Sequence, residues 1–320
     1  MEPDPADVER VRRALGATPV AWRTASGHGA PSHRRFVVDL DRRRSAFVKI
    51  AALDYTSDWL REEHRLYWAL DGHPFLPRLL GWDDDGIAPR SPSRTYPARR
   101  GRRRGTSVGS MPFLDTLDAV HATVPPDGVP PAVQSQFGPD GWPDVVADPQ
   151  PFLSLGLCSP GWLDEDLVVL AEASANAEIG GTSLLHFDVR SDNLCLREGR
   201  AVLVDWNNAC VGNAMLDTAA WLPSLASEGG PPPHAILPDD VPGLPEIASL
   251  LAGYFCARAG LPHIPQAPHA RPLQLRRSRT SLPWAARLLG LPARLAAPLL
   301  APATHCYDAL RGSLVRRLAG

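Results

Sequence analysis

The sequence predicts an α+β chain in which a small strand-rich N-terminal part precedes a larger helical C-terminal part. Two short apolar segments, at residues 35–40 and 45–50, are joined by a polar turn and predict an antiparallel hairpin. Segments with helical periodicity dominate after residue 205. The 320 residues are enough for one large domain or two lobes.

The remaining elements follow from hydrophobic periodicity, taken in chain order. Helices are predicted at 7–15, 57–70, 113–124, 163–179, 216–226, 244–258 and 271–289. Short strands are predicted at 183–186, 194–197 and 201–205. Proline and arginine interrupt the apolar stretches, so none of them is predicted to span a membrane.

Composition excludes several classes of partner. The net charge of −2 gives no general attraction to nucleic acid, and we expect neither a nucleic-acid nor a membrane partner. Five cysteines without a Cys-x-x-Cys pair favour a reducing, cytoplasmic location over a structural zinc site. The acidic N-terminus does not resemble a signal peptide. The oligomeric state is left open by the sequence.

One run of polar residues predicts phosphoryl transfer. Asp188 is followed at plus five by Asn193, and Asp205 ends a short apolar strand twelve residues later. This chemistry needs an aspartate that orients the hydroxyl nucleophile, and an asparagine and an aspartate that hold Mg²⁺ on the nucleotide phosphates. A polar loop that caps a strand is the alternative, but it explains neither the spacing nor the second aspartate.

A single lysine is the second candidate for chemistry. Among 33 basic residues only Lys49 is a lysine, and it lies in the strand predicted at 45–50. Glu63 falls near the centre of the apolar face of the helix predicted at 57–70, where a carboxylate needs a partner. Lys49 would supply that partner; an ordinary surface lysine is the alternative.

Together, these features resemble those of the aminoglycoside phosphotransferase (APH)-like phosphotransferase enzyme family, a branch of the protein-kinase-like superfamily. Residues 76–86, 188–195 and 282–287 are similar to an actinobacterial subgroup of that family. The resemblance implies a bilobal protein-kinase-like fold, with a nucleotide-binding lobe at 1–87, a catalytic and acceptor-binding lobe at 111–292, and an extension at 293–320.

The resemblance also implies the reaction and the roles of its main residues. The chain would be a cytoplasmic, ATP- or GTP-dependent O-phosphotransferase acting on a hydroxyl of an aminoglycoside-like antibiotic or metabolite. Lys49 would contact the nucleotide phosphates and pair with Glu63, and Asn193 and Asp205 would hold Mg²⁺. Asp188 would orient the acceptor hydroxyl and take its proton.

Further residues receive supporting roles from the same resemblance. Arg190 would stabilise charge during transfer, although pairing with a neighbouring acid is equally compatible with its position. His186 would brace the catalytic loop and Asp217 would anchor it from the next helix. Gly27 and Gly29 would form the phosphate-covering turn, with an ordinary hairpin turn as the alternative.

The segment at residues 88–110 departs from the family pattern. Kinase-like chains have an apolar strand here that leads into the hinge, whereas residues 88–105 contain seven arginines, no acid and no apolar run. We therefore expect no buried strand. A basic insertion is one interpretation. The other is a frame displacement, because codons for 93–97 and 101–105 read one base out of step can give peptides that resemble the subgroup's hinge.

The same departure leaves an alternative function open. A kinase-like pseudoenzyme, or a binding protein inactivated by a disrupted hinge, would keep the catalytic residues after a recent lesion. A protein kinase is a third possibility, but no Ala-Pro-Glu element follows Trp206.

An acidic acceptor pocket would favour an aminoglycoside or another amine as substrate. Possible contributors of acid to that pocket are Asp192, Glu228, Asp239 and Asp240. His121 is expected to pack or hydrogen-bond within its own helix.

Overall fold

The computed structural model describes residues 3–25, 33–40, 44–86, 90–94, 107–135, 140–197, 200–265 and 267–292. The described residues divide between two compact units. The first takes its residues from Met1–Arg99, Asp192–Asn207 and Pro265–Ala267, and the second from Arg100–Ser191, Asn208–Ile264 and Pro268–Gly320. The first unit is rich in strands and the second in helices, which confirms the predicted α+β class.

The strands in the described residues pair in three antiparallel sheets. In chain order they are β1 (Ala21–Thr24), β2 (His33–Asp39), β3 (Ser45–Ala51), β4 (Arg90–Arg94), β5 (Ser183–Leu185), β6 (Leu194–Arg197), β7 (Arg200–Leu203) and β8 (Cys210–Gly212). The first four form one sheet in the order β1-β2-β3-β4, β5 pairs with β8, and β6 pairs with β7.

The helices in the described residues are concentrated in the second unit. In chain order they are α1 (Pro5–Leu15), α2 (Asp54–Ala69), α3 (Ser107–His121), α4 (Trp142–Ala147), α5 (Gln150–Leu153), α6 (Pro160–Ala175), α7 (Met215–Ser227), α8 (Pro233–Ile236), α9 (Leu244–Ala259) and α10 (Ala270–Leu288). Among these residues, no helix is long and apolar enough to cross a bilayer.

Alternating side chains of β2 and β3 build the core of the first unit. Phe36 lies opposite Val48 and Val38 lies opposite Ala46 in the strand register, and all four are buried with Val11 of α1. Cross-strand apolar pairs of this kind hold neighbouring strands in register, because a slip by one residue would expose the whole set. The core therefore fixes the position of β3, which carries Lys49.

Local sequence signals set the limits and the docking of α1. The Asp4 side chain accepts the backbone N–H of Ala6 at 2.8 Å, and the helix ends at Gly16, whose φ of 61° favours glycine. Arg10 on this helix contacts the carboxylates of the acidic turn at residues 83–85. The turn is thereby tied to the N-terminal helix within the same unit.

A short strand, β4, is present at the start of the anomalous segment, for which the sequence argued only against a buried strand. β4 pairs with β3 so that Ser91 lies opposite Lys49 and Pro92 lies opposite Val48. Among the strands that the structure describes, β4 lies at the edge of the sheet, with β3 as its one neighbour. An edge strand also tolerates a proline, which has no N–H to donate. Backbone pairing with β3 is therefore enough to form this strand without an apolar run.

Most predicted elements are present with ends shifted by a few residues. The helices predicted at 57–70, 113–124 and 271–289 are α2, α3 and α10. The short elements β1, β8, α4, α5 and α8 were missed, since three to six residues carry little periodicity. The predicted extension at 293–320 lies outside the described residues.

Helix α9 forms the centre of the second unit and is buried on most sides. The Trp142 indole N–H donates to the Ser249 carbonyl at 2.9 Å, which fixes α4 against α9. At Gly253 an added Cβ would come within 2.7 Å of the Trp142 ring, so glycine is required for this close approach. Helix α10 packs along α9 and α7.

Candidate active site

Lys49 forms the centre of a buried charged network in the first unit. Its Nζ donates to the two Glu63 carboxylate oxygens at 2.8 and 2.7 Å and to Asp205 Oδ1 at 2.7 Å. Lys49 is 8% exposed and Glu63, from α2, is 2% exposed. The lysine–glutamate pair expected from the sequence is therefore present, and Asp205 extends it.

Opposing effects set the ionisation of this network. Burial by itself lowers the pKa of Lys49, but the carboxylates of Asp205 and Glu63 outweigh it and raise that pKa above its ordinary value. Arg35 Nη2 lies 3.9 Å from Asp205 Oδ2 and brings a second cation to that carboxylate. Lys49 is thus held as an ammonium in a site with balanced charge.

A strained turn places Asp205 next to Lys49. β7 ends at Leu203, and Asp205 has a φ of 71°, a conformation that residues other than glycine seldom adopt. The next backbone N–H, that of Trp206, donates to Glu63 Oε1 at 3.3 Å, and the Trp206 indole donates to the Leu203 carbonyl at 2.9 Å. These contacts hold a conformation of the kind that clusters at functional sites.

Asn193 precedes β6 and Asp205 follows β7, so both lie at the open end of the β6–β7 hairpin. The Asn193 carbonyl accepts the Val204 N–H at 2.9 Å, and the Asn193 residue is 3% exposed. No cluster of three or more His, Cys, Asp or Glu in the described part of the chain could hold a metal alone. One carboxylate and one amide oxygen instead fit a Mg²⁺ ion that shares its coordination with nucleotide phosphates.

Tyr67 joins the same network and was missed by the sequence analysis. It follows Glu63 by four residues on α2, and its hydroxyl bonds the Glu63 side chain. Burial, followed by the charges of Glu63 and Asp205, raises the pKa of Tyr67 well above its ordinary value, so the hydroxyl stays a donor. The i,i+4 spacing from a buried carboxylate was the available signal.

Asp188 in the second unit is paired with the arginine two residues away. Arg190 Nε donates to Asp188 Oδ2 at 3.2 Å, and both side chains are largely buried. The Asp188 backbone N–H points at Nδ1 of the fully buried His186 at 3.3 Å, which makes that ring nitrogen an acceptor. The loop around Asp188 is therefore held by its own neighbours on both sides.

Asp217 on α7 holds the backbone just before Asp188. Its two carboxylate oxygens accept the backbone N–H groups of His186 at 2.9 Å and Phe187 at 2.8 Å. Phe187 has a φ of 61°, so the carboxylate supports a strained backbone next to the candidate base. His121 Nε2 lies 3.1 Å from the same carboxylate, so its hydrogen-bond partner is on α7, outside the helix in which a bond was expected.

The predicted site residues fall into two groups. The first unit gathers Lys49, Glu63, Asn193 and Asp205, and the second gathers Asp188, Arg190, His186 and Asp217. Gly27 and Gly29 lie outside the described residues. Of the acids considered for an acceptor pocket, Asp192 belongs to the first unit, and Asp239 is paired with Arg287 at 2.7 Å.

Comparison with protein families places the chain in a known class. Residues 26–250 match the phosphotransferase enzyme family (APH), which is 225 of the 320 residues. The chain therefore belongs to this family, as the resemblance of its motifs indicated. No curated protein matches the sequence.

Solved structures show the same kinase-like fold at low sequence identity. A Thermobifida fusca protein described as a fructosamine-3-kinase has a TM-score of 0.52 at 19% identity, covering 86% of this chain and 98% of its own. The spectinomycin phosphotransferase APH(9)-Ia, solved with ADP and spectinomycin, has a TM-score of 0.51 at 11% identity, with 91% of each chain covered. An ethanolamine kinase from Plasmodium vivax has a TM-score of 0.51 at 12% identity, covering 84% and 83%.

Proposed function

We propose that this chain is a small-molecule O-phosphotransferase that moves the γ-phosphoryl group of ATP or GTP to a hydroxyl. The observation that carries the proposal is the buried contact of its one lysine, Lys49, with the carboxylates of Glu63 and Asp205. Membership of the phosphotransferase enzyme family supports the same class of reaction. The reducing cytoplasm is its proposed location.

Nucleotide binding is assigned to the first unit. Lys49, oriented by Glu63, would donate to phosphate oxygens, and Gly27 and Gly29 would cover the phosphates. Asn193 and Asp205 would hold Mg²⁺, which neutralises developing charge on the phosphates when bound. The hydrogen bond between Lys49 and Asp205 would bring the ammonium and the metal ligand to the same phosphate groups.

The chemical step is assigned to Asp188. The acceptor hydroxyl oxygen forms a bond to the γ-phosphorus while the bond from phosphorus to the β–γ bridging oxygen breaks, and the nucleoside diphosphate leaves. Asp188 orients the hydroxyl and takes its proton, and Arg190, 3.2 Å away, stabilises the charge on the transferred group. Asp217 and His186 keep the loop in place, so positioning supplies much of the rate.

The direct test measures transfer of labelled γ-phosphate from ATP and from GTP to a panel of hydroxylated antibiotics and metabolites. We expect an acceptor-dependent product, and stabilisation of the full chain against heat by the magnesium nucleotide. Lys49→Met should abolish both effects, whereas Arg276→Met, at an exposed arginine of α10, should change neither. Nucleotide binding without transfer to any acceptor would favour the pseudoenzyme instead.

We also propose that residues 88–110 reflect a frame displacement at the hinge between a nucleotide-binding lobe (1–87) and a catalytic lobe (111–292). Support comes from the composition, with seven arginines and no acid in residues 88–105. Resequencing the gene decides the matter, and a confirmed unshifted reading ends the idea. A frame-corrected chain should bind the magnesium nucleotide more tightly than the present chain.

A further inference from the structure

Arg277 is a buried cation of the second unit that the proposed transfer step does not use. The residue is 6% exposed on α10. Its Nη2 donates to Ser224 Oγ of α7 at 3.3 Å, and its Cζ lies 5.3 Å from the centre of the Phe255 ring of α9. Three helices therefore fix the guanidinium in one place.

The hydrogen bonds of Arg277 are incomplete. A guanidinium has five N–H donors, yet Nε is buried without an acceptor. No carboxylate among the described residues forms an ion pair with it, and the Ser224 hydroxyl is a neutral partner. Burial lowers the pKa of Arg277, which is the mark of a cation without sufficient counter-charge. A site of this kind needs an anion.

Arg277 lies within electrostatic range of the candidate base. After the larger effect of burial, Asp188 raises and Arg190 lowers the pKa of Arg277. The same carboxylate acts on Tyr254 of α9, where burial raises the hydroxyl's pKa to about 12 and so keeps it a hydrogen-bond donor. Asp188 is itself paired with Arg190 at 3.2 Å. An anion at Arg277 would therefore belong to a molecule close to Asp188.

Cations outnumber acids around this position. Arg258 Cζ lies 4.1 Å from the centre of the Tyr254 ring, and the charge of Arg271 also lowers the pKa of Tyr254, against the larger effect of burial. Among the described residues, those that act on Arg277 or Tyr254 are then four arginines, with Arg190 and Arg277 included, and two carboxylates, those of Asp188 and Glu228. A polyamine acceptor would be repelled here, because like charges at close range in a poorly solvated site cost free energy.

We propose that Arg277 binds an anionic group of the acceptor, and that the acceptor is a small hydroxylated acid carrying a carboxylate or a phosphate. This inference rests on the proposed function and narrows its substrate class. The planar fork of arginine suits both anions, since two parallel N–H groups can meet two oxygens. One end of the acceptor would be held by Arg277 while Asp188 orients its hydroxyl.

A matched series of polyols tests the inference by binding. Gluconate and sorbitol 6-phosphate carry an anionic end, sorbitol a neutral end and glucamine a cationic end on the same carbon chain. Binding to the full chain is measured by calorimetry without nucleotide, so the result does not depend on whether phosphoryl transfer occurs. We expect at least one of the two anionic compounds to bind on the order of 30-fold more tightly than sorbitol and glucamine.

Variants of α10 separate ligand binding from a purely structural role. Arg277→Met keeps the packing on Phe255 and should abolish the preference for the anion, while Arg277→Lys should keep part of it. Arg276→Met, at the neighbouring exposed arginine, should leave the preference intact. Equal binding of all four compounds, a preference for glucamine, no binding by any of them, or an unchanged preference in a folded Arg277→Met chain would overturn the inference.

If glucamine or an aminoglycoside is phosphorylated instead, the proposed transfer reaction stands and only the acceptor class fails. If the magnesium nucleotide neither binds nor turns over while the anionic polyols bind through Arg277, the transfer reaction fails and the anion site stands. The two proposals therefore fail in different experiments.

Discussion

Replacing Lys49 by methionine removes the cation that bonds Glu63 and Asp205 directly. Loss of one partner from a buried ion pair costs about 3–5 kcal/mol, because the other charge is left buried and uncompensated. The Asp205 side chain is 18% exposed and Arg35 remains 3.9 Å from it, so solvent and a second cation offset part of this cost. We therefore expect the lower limit, a loss of about 3 kcal/mol in the free energy of unfolding.

The dependence of this loss on pH gives a second, independent expectation. A lysine whose pKa is raised on folding contributes stability that is complete below the unfolded pKa and is lost only as pH rises through the folded pKa. The Lys49 contribution in the unaltered chain is therefore constant from about pH 6 to about pH 9. The loss in Lys49→Met should therefore be equal at about pH 6 and about pH 9, and it should shrink only as pH rises through the raised pKa of Lys49.

Urea unfolding of the two chains, followed by tryptophan fluorescence at several pH values, measures both effects. Adding Glu63→Gln to Lys49→Met removes one of the facing charges and should recover about 1 kcal/mol. A Lys49→Met chain within about 0.5 kcal/mol of the unaltered chain at neutral pH would refute the reasoning, since that is the range of surface substitutions.

Two further predictions concern the second unit. In Asp217→Asn, the new amide N–H₂ faces one of the buried N–H groups of His186 and Phe187, which then has no acceptor. We expect calorimetry to show a loss of about 1–3 kcal/mol in the free energy of unfolding, and kcat to fall about 100-fold because the loop shifts. An unchanged kcat would contradict the anchoring role. Gly253→Ala forces a methyl group to within 2.7 Å of Trp142, so thermal unfolding should report a loss of about 1–3 kcal/mol, and an unaltered melting temperature would show that the contact is not tight.

The chemistry of the first unit was readable from the sequence because its signals are local. A lone lysine on a strand and a carboxylate in the middle of an apolar helix face predicted the Lys49–Glu63 contact, which is present at 2.7 Å. The aspartate after β7 was likewise a candidate by position. Helix limits were predicted to within about four residues wherever periodicity extended over three or more turns, except that α3 begins six residues before the predicted start.

The remaining contacts depend on tertiary structure that no local pattern encodes. The left-handed turn at Asp205 brings this carboxylate to Lys49, and an aspartate is too weak a signal for a φ of 71° to be predicted from it. His121 bonds an aspartate 96 positions away, so helical spacing could not find it. β4 forms in an arginine- and proline-rich segment because edge pairing depends on the backbone of β3.

The most direct measurement compares phosphoryl transfer by the unaltered chain and by Asp188→Asn, using an acceptor found in the panel. The amide keeps the shape of the carboxylate but cannot take the proton of the hydroxyl, so kcat should fall by about 10²–10⁴-fold. Stabilisation by the magnesium nucleotide should persist, because Lys49, Asn193 and Asp205 are unaltered. Transfer within about tenfold of the unaltered chain, with a folded variant, would contradict the assignment of Asp188 as the base.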